Sequence, residues 1–159
     1  MVAPRWLDDD EFRAWIGYRR MRLLLDAEIA RDLMRTSGLS MPDYDVLSAL
    51  ADAPGRRRRL TVLAAHMLWS KSRLSRHISR MEARGLVVRE VDAADARRAD
   101  VVLTEEGRQA IVEAAQHHVE SVRKHFVDLL TEDQLRRFAD VAETVLGELP
   151  PRPDDLENE

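Results

Sequence analysis

The chain has 159 residues with a formal net charge of −4, and 45% of its residues are hydrophobic. This length is enough for one hydrophobic core without a metal or disulfide, and the absence of cysteine excludes disulfides, thiolate nucleophiles, zinc–cysteine clusters and thiol switches. The chain does not start with a basic segment and an apolar run, and it lacks a stretch of about 18 apolar residues, so we expect a cytoplasmic protein with no membrane contact.

Two helices are predicted in the first third of the chain. Apolar residues such as Phe12, Ile16 and Leu23 recur at helical spacing from Asp8 to about Arg35, which predicts one long helix that ends near Gly38. Residues 41–43, Met-Pro-Asp, are typical of a helix start, and this second helix should stop before residues 53–55, Ala-Pro-Gly.

A helix pair and a hairpin are predicted next. Thr61 is the expected N-cap of a short helix that ends near His66 or Met67, and Ser70 is the expected N-cap of a helix that runs to Arg84 and is closed by Gly85. Residues 86–91 and 101–103 are rich in β-branched side chains, which predicts two short strands joined by a polar tip at residues 92–100.

Two further helices follow a cap at Thr104. The first is marked by apolar residues from Ile111 to Leu129, and the second by apolar residues from Leu135 to Leu149. The fold is therefore mainly α: a winged helix-turn-helix with a two-stranded wing, flanked by terminal helices. We divide it into an N-terminal helix (1–40), the winged helix-turn-helix (41–104), C-terminal helices (105–149) and a disordered tail (150–159). The terminal helices have more apolar residues than a small central module can cover, which favours a homodimer.

The charge is distributed unevenly along the sequence. Residues 56–98 contain 12 Lys+Arg and 4 Asp+Glu, whereas the rest of the chain contains 13 basic and 25 acidic residues. A basic block inside an acidic chain is typical of a protein with one face that meets a phosphate backbone. A chance excess of solvated arginine is the alternative interpretation.

The helix after Ser70 has two faces of different chemistry. Leu74, Ile78 and Met81 lie at i, i+4 and i+7, which predicts one buried face. The opposite face combines short hydroxyl groups with long cations, a combination suited to base edges and phosphates in the major groove of DNA. The candidate DNA contacts on this helix are Ser70, Lys71, Ser72, Arg73, Ser75, Arg76 and Arg80.

Residues 60–107 resemble the MarR family of winged helix-turn-helix regulators. The resemblance rests on the helix pair, on Asp95-x-Arg97 in the wing, on Val101-x-Leu103-Thr104 and on Gly107. It implies a homodimeric repressor that binds a pseudo-palindromic operator on double-stranded DNA, with no enzymatic activity and no cofactor.

The resemblance also assigns roles to individual residues. It makes Arg76 a contact of the recognition helix and Arg97 the wing arginine that enters the minor groove, with Asp95 orienting it. Members of the family often have a further cation directly after the wing aspartate, where this chain has Ala96, and Arg98 is the candidate replacement. Family members often bind small aromatic anions as effectors, for which Trp15, Tyr18 and Tyr44 are candidate pocket walls. Packing in the core is the stronger interpretation of these three aromatic residues.

Several other signals have two interpretations. The arginine run at residues 56–59 either clamps phosphate or forms a solvated loop. His117, His118 and His125 could suggest zinc, but surface histidines near an interface are favoured because no cysteine or acidic ligand motif accompanies them. For His77, packing or phosphate contact is favoured over catalysis. No enzymatic constellation is visible, so the main rival function is a winged-helix module that binds protein, which would expose apolar residues where Ser72, Arg76, Arg80 and Arg97 stand.

Overall fold

The computed structural model describes residues 5–92 and 95–150, and only the backbone at residues 92 and 95–98. It contains six helices and three strands within these ranges. The helices are α1 (Asp9–Ser37), α2 (Met41–Ala51), α3 (Leu60–His66), α4 (Lys71–Ala83), α5 (Glu105–His125) and α6 (Glu132–Glu148). The strands are β1 (Arg57–Arg59), β2 (Val87–Asp92) and β3 (Asp95–Leu103). The predicted tail at residues 151–159 lies outside the described residues.

Local capping explains where the first two helices begin. The Asp8 carboxylate accepts from the Glu11 N–H at 2.9 Å, and the Glu11 carboxylate accepts from the Asp8 N–H at 3.0 Å. Ser40 and Asp43 form the same reciprocal pair at the start of α2. Gly38 ends α1 with a φ of +67°, a conformation that glycine adopts without steric cost. These reciprocal bonds satisfy N–H groups that a helix start otherwise leaves without partners.

The sheet differs from the prediction because it has three strands. All are antiparallel, in the order β1-β3-β2, with Arg58 opposite Val101 and Val88 opposite Val102. The predicted hairpin of β2 and β3 is present as the wing, but β3 begins at Asp95, so the prediction of a polar tip over residues 92–100 was wrong in extent. A run of arginines lacks the β-branched and aromatic residues that favour a strand, and β1 forms because β3 offers an edge to pair with.

Two helix boundaries also differ from the predictions. The short helix α3 begins at Leu60, not after Thr61, because Leu60 is buried and the chain enters the helix directly from Arg59 of β1. Helix α5 ends at His125, and a single 3-10 turn over Val127–Leu129 follows, so the predicted helix through Leu129 was too long. Ser70 and Thr104 do cap α4 and α5 as predicted.

The core is centred on the winged helix and extends into the neighbouring halves of α1 and α5. Its largest fully buried side chains are Leu33, Leu39, Val46, Leu47, Leu50, Leu63, Leu74, Ile78, Met81, Val87 and Val101. Gly107 lets α5 approach the sheet, since a Cβ atom there would lie 2.0 Å from the Leu86 carbonyl oxygen. This packing fixes α4 and the wing on one body.

The N-terminal half of α1 and all of α6 lie outside this core. Leu33 is the one buried residue of α1, and α6 has none. Trp15 and Tyr18 stack with ring centroids 5.9 Å apart, but each is about half exposed, so their predicted place in the core was wrong for the single chain. Within the described ranges, no helix combines the length and apolar character that a membrane span requires.

Candidate nucleic-acid interface

Helix α4 separates an apolar face from a basic face. Leu74, Ile78 and Met81 have no exposed surface. The outward side chains of Lys71, Ser72, Arg73, Arg76, Ser79 and Arg80 are all exposed. The whole of α4 is described, and it exposes no large hydrophobic side chain. This face therefore lacks the apolar residues expected of a protein-binding module.

Among the candidate serines, Ser70 forms an internal contact through its hydroxyl and Ser75 forms internal contacts through its backbone carbonyl. The Ser70 hydroxyl accepts from the Arg73 N–H at 3.3 Å and so caps α4. Ser75 is partly buried, and its carbonyl oxygen accepts hydrogen bonds from the Ser79 hydroxyl and from the Arg89 guanidinium. The outward Ser72 hydroxyl lies 3.2 Å from that of Ser70, in the first turn of the helix.

An aromatic ring supports the first turn of α4 from the turn before it. The Arg73 guanidinium lies over the Trp69 ring, 3.9 Å from its centroid, within cation–π range. The Trp69 ring in turn meets the His77 ring edge to face, with centroids 5.5 Å apart. The exposed cation at Arg73 is thus anchored to a partly buried indole.

A polar cluster behind α4 connects it to the junction of α1 and α2. Asp43 is buried, its Oδ1 lies 3.0 Å from Nε2 of His77, and its Oδ2 accepts from Arg84 at 2.8 Å. Arg84 also donates to the Gly38 carbonyl at 3.0 Å. Burial alone raises the pKa of the Asp43 carboxyl, but the hydrogen bonds from Ser40 and Arg84 outweigh it and hold that pKa below its usual value.

The wing is attached to α4 through Arg89 of β2. Its guanidinium donates to the Ser75 carbonyl and, at 3.0 Å, to the Ser79 hydroxyl, and its Nε lies 3.3 Å from the Glu82 carboxylate. The Arg89 N–H donates to the same carboxylate at 2.9 Å. These contacts fix the direction of β2 relative to the recognition helix.

The winged helix matches a known family. The family model described as MarR family matches residues 37–98. The transcriptional regulator HosA of Escherichia coli O157:H7 is 35% identical over 131 residues, which covers 82% of this chain and 95% of that protein. The chain belongs to the MarR family. It is accordingly a transcription regulator and not an enzyme.

Solved structures of MarR regulators have the same fold. Sco3205 from Streptomyces coelicolor, solved in complex with DNA, is 34% identical, with a TM-score of 0.85 and coverage of 95% of this chain and 94% of that one. AbsC from the same organism is 40% identical, with a TM-score of 0.80 and coverage of 91% of this chain and 100% of that one. The MarR winged helix, with its wing, is therefore the fold of this chain.

The wing residues of this MarR chain are placed only by their backbone. Asp95, Arg97 and Arg98 belong to β3, and their side chains lie outside the described residues. The roles of Asp95 and Arg97, and the replacement role of Arg98, stay predictions.

Of the two interpretations of the arginine run at residues 56–59, the solvated loop is wrong for Arg57–Arg59, which form β1, and the phosphate contact stays a prediction. Arg57 in β1 pairs with Glu90, and its Nε lies 3.2 Å from the Asp100 carboxylate. Arg58 donates from Nε to the Ala49 carbonyl at 3.1 Å. The two central arginines therefore hold β1 against the wing and α2.

The three histidines of α5 lie in separate surroundings. Among the described residues, no group of three histidine, aspartate or glutamate side chains could hold a metal ion. The His118 ring packs against Tyr44 with centroids 4.5 Å apart, and burial lowers the pKa of His118. His125 Nε2 lies 2.9 Å from Asp32, whose pKa is held well below its usual value by hydrogen bonds from Arg35, His125 and Ser121.

A groove of about 420 Å³ lies between α2 and the turn that joins α3 to α4. Tyr44, Asp52, Arg58 and Trp69 are among its lining residues. Of the three aromatic residues predicted to line an effector pocket, Tyr44 lines this groove, whereas Trp15 and Tyr18 do not.

Sequence reasoning missed the residues that support the recognition helix. Asp43, Trp69, Glu82, Arg84 and Arg89 were not singled out as site residues, and for His77 only packing or phosphate contact was favoured over catalysis. The available signal was an ionisable residue within an apolar pattern, since Asp43 and His77 fall on, or at the edge of, faces that the helical period marks as buried. Their partners depend on long-range packing, which the sequence alone does not specify.

Proposed function

We propose that this MarR regulator is a sequence-specific repressor that binds a pseudo-palindromic operator as a homodimer. Helix α4 would lie in the major groove and the β2–β3 wing in the adjacent minor groove. The observation that carries the proposal is the outward face of α4, where Ser72, Arg76 and Arg80 are exposed while the opposite face is fixed in the core. The DNA complex of the similar protein Sco3205 supports the same use of this fold.

The chemistry of the outward face suits base recognition. An arginine can bind guanine through two parallel hydrogen bonds, whereas serine can approach a base edge or a phosphate closely. Arg76 has no ion pair among the contacts of the described residues, so its guanidinium is available for DNA. Arg73, stacked on Trp69 near the helix N-terminus, is better placed for a phosphate, because the free N–H groups of a helix start also favour anions.

A homodimer would cover the apolar side chains outside the core. Phe12, Ile16 and Leu23 on α1 and Val141, Val145 and Leu146 on α6 are all exposed. Isolated exposed apolar residues are common on proteins, but two helices with several of them each are typical of an interface. A two-fold axis through this interface would present two copies of α4 to half-sites about 10 base pairs apart.

Footprinting of three variants tests the assignment of residues to grooves. Arg76→Ala should reduce the discrimination between bases in the major groove by about 1 to 3 kcal/mol. Arg97→Ala should weaken protection at the flanks of the site, where a narrow minor groove attracts arginine. Arg136→Ala removes an exposed arginine of α6 and should change neither the sequence preference nor the protection at the flanks. Variants of Arg76 and Arg97 that leave affinity and preference unchanged would contradict the proposed interface.

An effector forms the remaining part of the proposal. We expect a small aromatic anion to release the operator complex, and the groove beside Tyr44 is the place to look for it because it combines two aromatic rings with Arg58. The test is a titration of the protein–DNA complex with benzoate-type anions, followed by fluorescence anisotropy. Release that Tyr44→Ala abolishes supports the groove, and release that is unchanged in Tyr44→Ala places the effector elsewhere.

A further inference from the structure

The ring of His77 contacts both the interior and the outward face of α4. Only 6% of this residue is exposed, yet its Nδ1 lies 3.0 Å from Nη2 of Arg80, whose side chain is exposed on the outward face. A guanidinium can donate hydrogen bonds but cannot accept them. Nδ1 must therefore be the acceptor and must be free of a proton.

The protonation state of Nδ1 determines that of the other ring nitrogen, Nε2. In a neutral imidazole the single proton is then on Nε2, the nitrogen that lies 3.0 Å from Oδ1 of Asp43. The Asp43 carboxylate itself accepts hydrogen bonds from the Ser40 N–H and from Arg84. The Trp69 ring meets the imidazole edge to face on a further side. The Arg80 contact therefore selects one tautomer, and Asp43 and Trp69, which lie against other sides of the ring, restrict its orientation.

We propose that His77 is a positioning residue for DNA recognition, which holds the Arg80 guanidinium in one orientation on the DNA-facing side of α4 through a hydrogen bond accepted at Nδ1. The inference rests on the proposed function, because it assigns α4 to the DNA. An arginine with a fixed orientation loses less side-chain entropy when it binds than a freely rotating one. His77 thus contributes to DNA affinity without touching DNA.

This role depends on the protonation state of His77. The charged groups that face the ring are Asp43 from α2, Arg80 from α4, and Arg84 directly after α4. Burial lowers the pKa of His77 below 6.5, the Asp43 charge opposes the shift, and the Arg80 charge adds to it. Protonation would place a second N–H on the ring, directed at a cationic donor, so the Arg80 contact should be lost as the pH falls through the lowered pKa.

A double-mutant cycle in DNA binding tests the proposal. The proteins are the wild type, His77→Leu, His77→Asn, Arg80→Ala and the double variant of His77→Leu with Arg80→Ala, each bound to a duplex selected by the wild type from random DNA. Arg80→Ala should weaken binding about threefold to tenfold, the range expected for one hydrogen-bonded contact. His77→Leu should weaken it by a similar factor, and the double variant should be no weaker than Arg80→Ala alone.

The asparagine variant separates positioning from packing. Its side-chain oxygen is bonded to Cγ, as Nδ1 is in histidine, so it can still accept from Arg80 and should restore most of the affinity that His77→Leu loses. Thermal unfolding of each variant checks that it is folded. A double variant that loses affinity by the product of the two single-variant factors, or an asparagine variant that binds as weakly as the leucine variant, would overturn the proposal.

The tautomer can be measured without DNA. Nitrogen-15 NMR of the histidine rings, assigned by comparison with His77→Asn, should show an unprotonated Nδ1 and a protonated Nε2 at pH 7.5. Arg80→Ala should raise the His77 pKa, because it removes a neighbouring cation. A proton on Nδ1 would overturn the inference alone, whereas a wild-type protein that binds no selected duplex would overturn the proposed function and the inference together.

Discussion

The winged helix and the terminal helices use the same apolar periodicity but bury it very differently. In the winged helix, Leu47, Leu63 and Leu74 have no exposed surface. On the terminal helices, Leu23 of α1 and Leu146 of α6 are 68% and 65% exposed. A helical pattern therefore indicates that a face is apolar, but it does not indicate whether the same chain covers that face. The first region is complete in one chain, and we propose that the second is completed by another copy.

Matched leucine substitutions should show the largest difference between the two regions. Leu74→Ala should lower the free energy of unfolding by about 2 to 5 kcal/mol at any protein concentration, because it leaves a cavity in the core. Leu146→Ala removes the same atoms from an exposed position, so any loss it causes should diminish when the protein is diluted. Denaturant unfolding at two concentrations measures both effects. Losses of unfolding free energy that are equal in the two variants and independent of protein concentration would contradict the distinction between the two regions.

Charges placed on α6 should separate the proposed dimer. Val141→Glu combined with Val145→Glu should give a monomer and reduce operator affinity by about 100-fold, because two unlinked subunits must then bind the half-sites independently. Glu143→Gln, an exposed substitution that removes a charge from the same helix, serves as control and should remain dimeric. Sedimentation and anisotropy measure the two properties. A double variant that stays dimeric places the interface elsewhere.

How much of this architecture the sequence predicts depends on the range of the interactions. Ser70 and the spacing of Leu74, Ile78 and Met81 are local signals, and they predicted α4 and its buried face. The strand β1 was not predicted, because it consists of three arginines and depends on pairing with β3 across more than 40 residues of chain. For the same reason Thr61 was wrongly taken as a cap, since the helix that it was meant to cap begins directly from that strand.

The supporting contacts of the site were not predictable for a related reason. Arg89 is spaced as an ordinary strand residue, and the direction of its guanidinium follows from how β2 packs against α4. His77 falls at the edge of the apolar stripe, but its surroundings depend on Asp43, which only the fold brings to the side of the ring away from Arg80. The sequence indicated which face of α4 points outward, but it did not indicate which contacts hold the arginines on that face.

Loosening the wing should have a smaller effect than the substitutions above. Arg89→Ala removes hydrogen bonds to the Ser75 carbonyl and the Ser79 hydroxyl and the ion pair with Glu82, and should lower the free energy of unfolding by about 1 to 2 kcal/mol. It should also reduce protection at the operator flanks more than at the centre, because the wing is then no longer fixed to α4. Arg89→Lys keeps the charge but not the planar guanidinium, so its stability and flank protection should lie between those of the wild type and Arg89→Ala. Uniform loss of protection across the site would argue against a wing-specific role.

The smallest expected effect concerns pH and the polar contact between α1 and α5. The pKa of Asp32 is lowered from 3.8 by Arg35, His125 and Ser121, so its carboxylate stabilises the fold above pH 3.8 and this contribution is lost as the pH falls below that value. Asp32→Asn should therefore be less stable than the wild type at pH 7 and should approach it in acid. Urea unfolding at pH 7 and pH 3 compares the two proteins. A stability difference that does not change between these pH values would contradict the assignment.

Selection of bound sequences from random DNA tests the central claim most directly. The wild-type protein is incubated with a random duplex pool, the bound fraction is amplified over several rounds, and the enriched sequences are aligned. We expect a pseudo-palindrome with half-sites about 10 base pairs apart, centre to centre, as two copies of α4 related by a two-fold axis would require. Failure to enrich any sequence, or enrichment of a single asymmetric half-site, would contradict the account.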